Sequence, residues 1–138
     1  MSEVTDEELR LLIQKVARRI RSNRGDQRLT DAQLGVLSRL SGIEALTPGA
    51  LADLERVTPP SMNRIVNALE RAGLVRRDKD RGDARRVLVR ITPSGHDAIA
   101  ETRRMRRVWF SEHLATLTPD QRRRLEAAIP VLRTLAES

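Results

Sequence analysis

The sequence predicts a mainly α-helical protein with one small β-hairpin, and three observations lead to that fold class. Apolar residues recur at helical spacing over most of the 138 residues. The pattern changes to alternation after Gly73, where β-branched residues become frequent. Thr-Pro pairs mark several helix starts, and Gly73 marks a helix end. A chain of this length is expected to form one domain, or one compact domain with extensions.

The charge of the chain favours an anionic partner. The formal net charge is +7 and the isoelectric point is about 11.3, values typical of proteins that bind nucleic acid. Arg supplies 24 of the 26 basic residues, a bias that genome composition alone can also produce. The 19 acidic residues show that this is not a simple basic tail. The charge therefore supports nucleic-acid binding without establishing it.

Other classes of protein and site are disfavoured by what the sequence lacks. The absence of cysteine excludes disulfides, thiolate metal sites and thiol redox sensing. Trp109 and Phe110 are too few for a surface that stacks single-stranded bases. No apolar run approaches the ~20 residues of a membrane span, and Met1–Val4 is unlike a signal peptide. We therefore expect a cytoplasmic protein without a membrane partner.

Three helices are predicted before residue 58. The first runs from Thr5 to Arg24 and is amphipathic, and Asn23 to Asp26 end it. A capping box at Thr30 to Gln33 begins the second, and Thr47-Pro48 begins a short third helix. The apolar residues of the first helix are Leu9, Leu12, Ile13, Val16, Ala17 and Ile20; those of the next two are Leu34, Leu37, Leu40, Leu51, Ala52 and Leu54.

The fourth helix has one apolar face and one face suited to a DNA groove. Thr58 is a good N-cap, Pro59 suits the first helical position, and Gly73 suits a left-handed end. In the major groove, Arg can form two hydrogen bonds with guanine, and Asn can form two with adenine. The alternative for one polar face alone is a solvated helix, and the segment that follows this helix favours DNA binding. The buried stripe is Met62, Ile65, Val66 and Leu69, and the opposite face presents Pro60, Ser61, Asn63, Arg64 and Asn67.

A β-hairpin is predicted directly after this helix. The strands are Leu74–Lys79 and Arg86–Thr92, joined by the charged loop Asp80–Arg85. A helix-turn-helix followed by such a hairpin is a winged helix, and residues 30–92 are predicted to form this DNA-binding domain. Its candidate DNA contacts are Arg81, Arg85 and Arg86, which suit a minor groove or its phosphates. The alternative is a solvated loop with local Asp–Arg pairs.

These segments resemble the MarR family of bacterial winged helix-turn-helix transcription regulators. The resemblance rests on residues from Thr30 to Gly95, above all Val57–Arg77, the wing Asp80–Arg85 and the exit Ile91–Gly95. It implies a DNA-binding regulator with a recognition helix and a wing. The family wing usually has Arg between its two Asp positions, where this chain has Gly82. Either Arg81 beside it or Arg85 then supplies the minor-groove cation.

The terminal segments predict a homodimer. A long helix is expected from Thr92-Pro93 toward Leu117, and a capping box at Thr118 to Gln121 begins a last helix that Pro130 should bend. The apolar stripes of these helices and of the first helix can be buried on each other and on a second copy. Residues 1–29 and 93–138 are therefore predicted to form a helical dimerisation region, which the resemblance also implies. A two-fold dimer suits a pseudo-palindromic operator.

We interpret the chain as a sequence-specific regulator of transcription that binds double-stranded DNA. The resemblance implies a repressor released by a small aromatic or phenolic acid. Candidate effector contacts are the cations Lys15, Arg18 and Arg19 together with Trp109, although core packing is the alternative role for this indole. The alternative function is a winged-helix protein-interaction or architectural module without an effector.

No enzymatic function is predicted. The sequence contains no nucleophile elbow, phosphate-cradling Gly loop or H-E-x-x-H pattern. His96 and His113 are isolated, and the carboxylates lie among arginines without an evident acid–base pair. We therefore expect no catalytic residues, no metal site and no cofactor.

Overall fold

The computed structural model describes residues 3–23 and 29–138, and within them the chain forms seven α-helices and one antiparallel hairpin. The elements are α1 Glu3–Arg21, α2 Asp31–Ser41, α3 Pro48–Glu55, α4 Pro59–Arg71, β1 Val75–Lys79, β2 Val87–Ile91, α5 Pro93–Leu114, α6 Pro119–Ala127 and α7 Ile129–Ala136. The predicted fold class, mainly α with a β-hairpin wing, is confirmed. The predicted end of α1 falls partly on Arg24–Asp26, which lie outside the described residues.

Threonine side chains cap four of the helices, as the sequence predicts for each position. Thr30 and Thr118 form complete capping boxes at the starts of α2 and α6. The Thr47 and Thr58 hydroxyls accept the amides of Ala50 and Ser61 at the starts of α3 and α4. Each cap satisfies one of the amides that a helix start leaves without an intrahelical acceptor.

The chain divides into two compact units, Met1–Asn23 with Met105–Ser138, and Arg24–Arg104. The second unit contains the buried core, to which α2, α3, α4, both strands and the first half of α5 contribute. Its buried apolar residues are Leu29, Leu34, Val36, Leu37, Leu40, Leu51, Ala52, Met62, Val66, Leu69, Leu74, Val75, Val89 and Ile99. The inward stripes predicted for α2 and α4 are thus confirmed, with Ile65 only half-buried.

The hairpin is attached to the helices by main-chain bonds as well as by packing. β1 and β2 pair in the register Val75 with Ile91 through Lys79 with Val87. Leu46, in the loop between α2 and α3, exchanges two backbone hydrogen bonds with Val89 of β2, at 3.2 and 2.7 Å. Val89 is completely buried. The loop before α3 therefore extends the sheet and fixes the base of the wing.

The first unit is formed by α1, the second half of α5, and α6 with α7. The sequence predicts one bent helix after Thr118, and this prediction is wrong in detail, because the helix is interrupted at Ala128. Pro130 has no amide hydrogen for the carbonyl four residues earlier, so the ladder stops and a new helix begins at Ile129. The predicted domain boundaries stay a prediction.

Candidate nucleic-acid interface

The N-terminal half of α4 carries a line of three hydrogen-bonded side chains. The Thr58 hydroxyl donates to Oγ of Ser61 at 3.0 Å, and Nη2 of Arg64 donates to the same oxygen at 3.2 Å. Residues spaced by three lie on one helix face, and side chains lean toward the helix N-terminus. Ser61 thereby directs Arg64 toward the end of α4 that enters a groove first in helix-turn-helix proteins.

The outer face of α4 is polar and open. Pro60, Asn63, Arg64 and Asn67 are exposed and Ser61 is half-buried, whereas Met62 on the other face is completely buried. The face can therefore offer amide and guanidinium groups to base edges without losing core packing. That these side chains contact DNA stays a prediction.

The C-terminal end of α4 is locked to β1. Gly73 adopts φ +77°, and its amide and that of Leu74 donate to the carbonyls of Glu70 and Leu69, which is a Schellman motif. The predicted left-handed helix end is confirmed. The Glu70 carboxylate then accepts both the amide and the guanidinium of Arg77, at 3.2 and 3.0 Å. Because these bonds join strand and helix, the wing is anchored to α4.

Two aspartates shape the tip of the wing. Asp80 accepts the amide of Gly82 at 3.0 Å, and Asp83 accepts the amide of Arg85 at 3.0 Å. Main-chain bonds from Asp80 to Arg86 at 2.8 Å and from Arg86 to Asp83 at 2.9 Å close the loop. The tip is thus held by its own main chain and by short acidic side chains.

The three wing arginines have different surroundings. Arg86 lies 3.7 Å from the carboxylate of Asp80, at the base of the loop. Arg85 is 95% exposed and only loosely paired, 3.7 Å from Asp83. Arg81 is exposed, and no residue of the described chain pairs with its side chain. The geometry therefore makes Arg81 and Arg85 the more available cations, while Arg86 supports the loop.

One group of charged residues was not identified from the sequence. Arg76, Asp78 and Arg90 are ion-paired on the outer face of the hairpin, and Arg90 also reaches Glu44. An open cleft of about 610 Å³ lies against this face, lined by Glu44, Arg76, Asp78, Lys79, Asp80, Arg81, Leu88 and Arg90. The alternation of Arg76 and Asp78 was visible in the sequence, but the contact with Glu44 joins positions 46 residues apart.

The candidate effector residues lie in the first unit, and the structure brings two of them together. The Arg19 guanidinium lies 5.2 Å from the centre of the Trp109 ring, and the His113 ring stacks on Trp109 at 3.9 Å. Trp109 is half-buried, whereas Lys15 and Arg18 are exposed on α1. Both Arg19 and Trp109 were predicted as effector contacts, whereas the stacking of His113 on Trp109 was not predicted.

The arginines of α5 are partly committed to protein contacts. Arg104 donates to the carboxylate of Glu101 at 2.8 and 3.0 Å, and this bond holds the pKa of Glu101 below its usual range. Arg106 donates to the main-chain carbonyl of Arg21 at 3.3 Å. These contacts favour the interpretation of this face as a structural surface over one that binds phosphate.

Comparison with known proteins identifies the chain. The family model described as "MarR family" matches residues 29–87, which span α2 to the start of β2. An uncharacterized HTH-type transcriptional regulator of Mycobacterium leprae is 37% identical over 130 residues, covering 94% of this chain and 91% of the relative. This chain belongs to the MarR family of transcription regulators.

Solved MarR-like structures share the whole fold. A MarR family protein from Bacillus stearothermophilus superposes with a TM-score of 0.75 at 24% identity, covering 100% of this chain and 99% of that one. An S. aureus MepR mutant bound to an oligodeoxyribonucleotide has a TM-score of 0.75 at 18% identity, covering 96% of each chain. These likenesses show that this MarR protein has the winged-helix fold of the family. In the described part of the chain, no helix has the length and apolarity needed to cross a bilayer.

Proposed function

We propose that this MarR protein is a cytoplasmic, homodimeric repressor that reads a pseudo-palindromic operator with α4 and releases it on binding a small aromatic acid. The observation that carries the proposal is the outer face of α4, where Ser61 directs Arg64 beside the exposed amides of Asn63 and Asn67. These groups provide the donors and acceptors that distinguish base pairs in the major groove. The wing beside α4 adds the exposed Arg81 and Arg85.

The test compares one arginine from each element. Arg64→Ala is expected to weaken binding to the cognate duplex by about 1–3 kcal/mol and to reduce the preference for cognate over random DNA. Arg85→Ala is expected to weaken both duplexes more evenly and to make the salt dependence shallower, because a phosphate contact releases counterions. Genome-wide binding-site mapping supplies the cognate duplex, and fluorescence anisotropy over a salt series measures both affinities.

The result separates sequence readout from the alternative function. An architectural or protein-interaction module would bind specific and random duplexes with similar affinity in direct competition. Equal losses on both duplexes for Arg64→Ala would show that the guanidinium does not read bases. The proposed major-groove role of α4 would then be wrong.

The dimer is supported by apolar surface that the single chain leaves exposed. On α1, Leu9, Leu12, Ile13 and Val16 are 46–51% exposed. The α6 and α7 side chains left open in the same way are Leu125, Ile129, Val131, Leu132 and Leu135. Fully burying an exposed apolar side chain is worth about 1.5–3 kcal/mol, and a second copy that covers the exposed part of each of these side chains gains a share of that free energy. A two-fold dimer also places two recognition helices on half-sites about one helical turn apart, ~34 Å.

The effector response is supported by the contact between Arg19 and Trp109. The cation and the flat ring are the two groups that an aromatic carboxylate needs, one for its charge and one for stacking. A ligand bound there acts by favouring one dimer geometry over another, which changes the spacing of the recognition helices.

The effector proposal is tested with salicylate-like acids. They are expected to bind weakly, to quench Trp109 fluorescence and to release the operator, whereas Arg19→Met lowers their affinity. Hydrogen peroxide at non-denaturing doses is expected to have no effect, because the chain has no cysteine to oxidise. Constant operator affinity at saturating acid, with binding confirmed by calorimetry, would contradict the effector model and leave a constitutive repressor.

A further inference from the structure

The guanidinium of Arg90 joins three segments of the chain. Its Nε donates to Oδ2 of Asp78 on β1 at 3.1 Å. Its Nη1 donates to the main-chain carbonyl of Glu44 at 3.3 Å and to the Glu44 carboxylate at 3.2 Å. The Arg90 side chain is only 26% exposed, whereas that of Glu44 is 89% exposed. The main-chain carbonyl is therefore the better-defined acceptor on the loop between α2 and α3.

The register of the hairpin explains why Asp78 lies between two arginines. Arg76 and Arg90 lie directly opposite each other, and like charges at opposite positions destabilise a sheet. The Oδ2 atom of Asp78, two residues along β1, accepts Nε of both arginines at 3.1 Å. Asp78 thus offsets the repulsion and orients both side chains.

Arg90 completes a two-sided attachment of the wing. Val89 points into the core and exchanges main-chain bonds with Leu46. Arg90 is the next residue, faces outward, and binds Glu44 two positions before Leu46. Arg77, the register partner of Val89, is held by Glu70 on the same side of the hairpin. Bonds along this one line of paired residues leave the hairpin able to rotate about it. The second attachment, on the opposite face, resists that rotation.

We propose that Arg90 is a positioning residue for DNA binding, which sets the angle of the wing and thereby the place where Arg81 and Arg85 meet the duplex. This inference rests on the proposed contact between the wing and DNA. Arg90 acts through the two wing arginines, because its own charge is already shared between two carboxylates. Without the Glu44 and Asp78 contacts, the tip keeps its internal bonds and the hairpin keeps its attachments through Val89 and Arg77, but its outer face is no longer held.

The test is a double-mutant cycle on the full-length protein with the mapped cognate duplex. Arg90→Met removes the guanidinium and keeps the aliphatic stem. It is expected to weaken binding well beyond twofold, within the roughly 2- to 150-fold range of interacting residues. In the Arg81→Ala/Arg85→Ala background the same change is expected to cost about twofold or less, which is the limit for independent sites.

Three further variants separate positioning from charge. Arg76→Met removes a cation directly opposite Arg90 that does not reach Glu44, and it is expected to change affinity much less than Arg90→Met. Asp78→Asn raises the net charge by one, so simple attraction to DNA would tighten binding, whereas loss of the attachment weakens it. Arg90→Lys keeps the positive charge but lacks the guanidinium nitrogens that bind Asp78 and Glu44 at once. It is expected to bind DNA as weakly as Arg90→Met. Hydroxyl-radical footprinting is expected to lose protection at the wing segment in Arg90→Met.

The possible results separate a failure of the Arg90 positioning role from a failure of the proposed contact between wing and DNA. An equal cost of Arg90→Met in both backgrounds would mean that Arg90 acts independently of the two wing arginines. Full affinity in Arg90→Lys would mean that a positive charge alone is enough. Either result would overturn the positioning role. Wild-type affinity in Arg81→Ala/Arg85→Ala would instead refute the wing contact. Circular dichroism checks folding, and if Arg90→Met does not fold, tighter binding by Asp78→Asn would overturn the inference and weaker binding would uphold it.

Discussion

Two glycines, one before and one after β2, differ in how much space the surrounding atoms leave for a side chain. A Cβ at Gly82 in the wing tip would meet only Oδ1 of Asp80, at an ordinary 3.7 Å. A Cβ at Gly95 would overlap the main-chain carbonyl oxygen of Leu74 and lie 2.6 Å from Cγ1 of Ile91. The first residue is open to change, whereas the second is required by close packing.

Gly82→Arg is expected to fold normally and to bind DNA more tightly. The Gly82 amide keeps its bond to Asp80, and the new cation lies beside Arg81 at the wing tip. Affinity should rise for both cognate and random duplexes, and the slope of log K against log salt should steepen by about 1. Anisotropy over a salt series measures the slope. A lowered melting temperature or an unchanged slope would contradict this account of the tip.

Gly95→Ala is expected to destabilise the fold by about 1–3 kcal/mol or more, because the overlapping atom belongs to the main chain and cannot rotate away. The same region is fixed by the Thr92 hydroxyl, which donates to the Gly73 carbonyl at 2.6 Å and accepts the Gly95 amide at 3.1 Å. Urea unfolding gives the free energy. Gly49→Ala, where a Cβ meets nothing within 4 Å, is the control and should be neutral or stabilising.

At the scale of the element, helix ends decide where the functional groups lie. The Thr58 cap begins the line that directs Arg64, and the Gly73 turn brings Arg77 back to Glu70. Both ends of α4 are therefore defined by local bonds, which leaves one face for the core and the outer face for the proposed DNA contact. The break between α6 and α7 is the contrasting case, since Ala128 starts α7 without any side-chain cap.

Pro130→Ala is expected to join α6 and α7 into one helix. An alanine amide at this position can donate to the carbonyl of Glu126, and Pro costs about 3 kcal/mol more than Ala inside a helix. The far-ultraviolet circular dichroism at 222 nm should strengthen, and the melting temperature should not fall. An unchanged helical signal would mean that packing around Ala128, and not the proline, causes the interruption.

At the scale of the whole molecule, the exposed apolar side chains of α7 provide a test of the proposed dimer. Leu135 is 61% exposed, so Leu135→Glu is expected to leave the folded chain intact and to convert the dimer to a monomer in sedimentation. Operator affinity should fall with it, because one half-site is lost. Thr134→Glu adds the same charge at the neighbouring exposed position and should stay dimeric. A dimeric Leu135→Glu protein at full affinity would place the interface elsewhere.

The sequence predicted those features that depend on near neighbours. The threonine caps, the left-handed Gly73 and the buried stripe of α4 all follow from residues within one or two turns. The attachment of Arg90 to Glu44 was not predicted, because it depends on which loop packs beside β2. The stacking of His113 on Trp109 also escaped prediction, since spacing along α5 places the two rings on one face without fixing their orientation.

The position of Trp109 has a consequence for how unfolding of this protein can be observed. It is the single tryptophan, and the chain has no tyrosine, so intrinsic emission comes from one ring on α5, within the unit that contains α1, α6 and α7. A fluorescence melt follows the surroundings of that ring, whereas circular dichroism follows every helix. Coincident transitions would show that both compact units unfold as one cooperative system. Separated transitions would show that the winged helix keeps its structure after the other unit has lost its own, or the reverse.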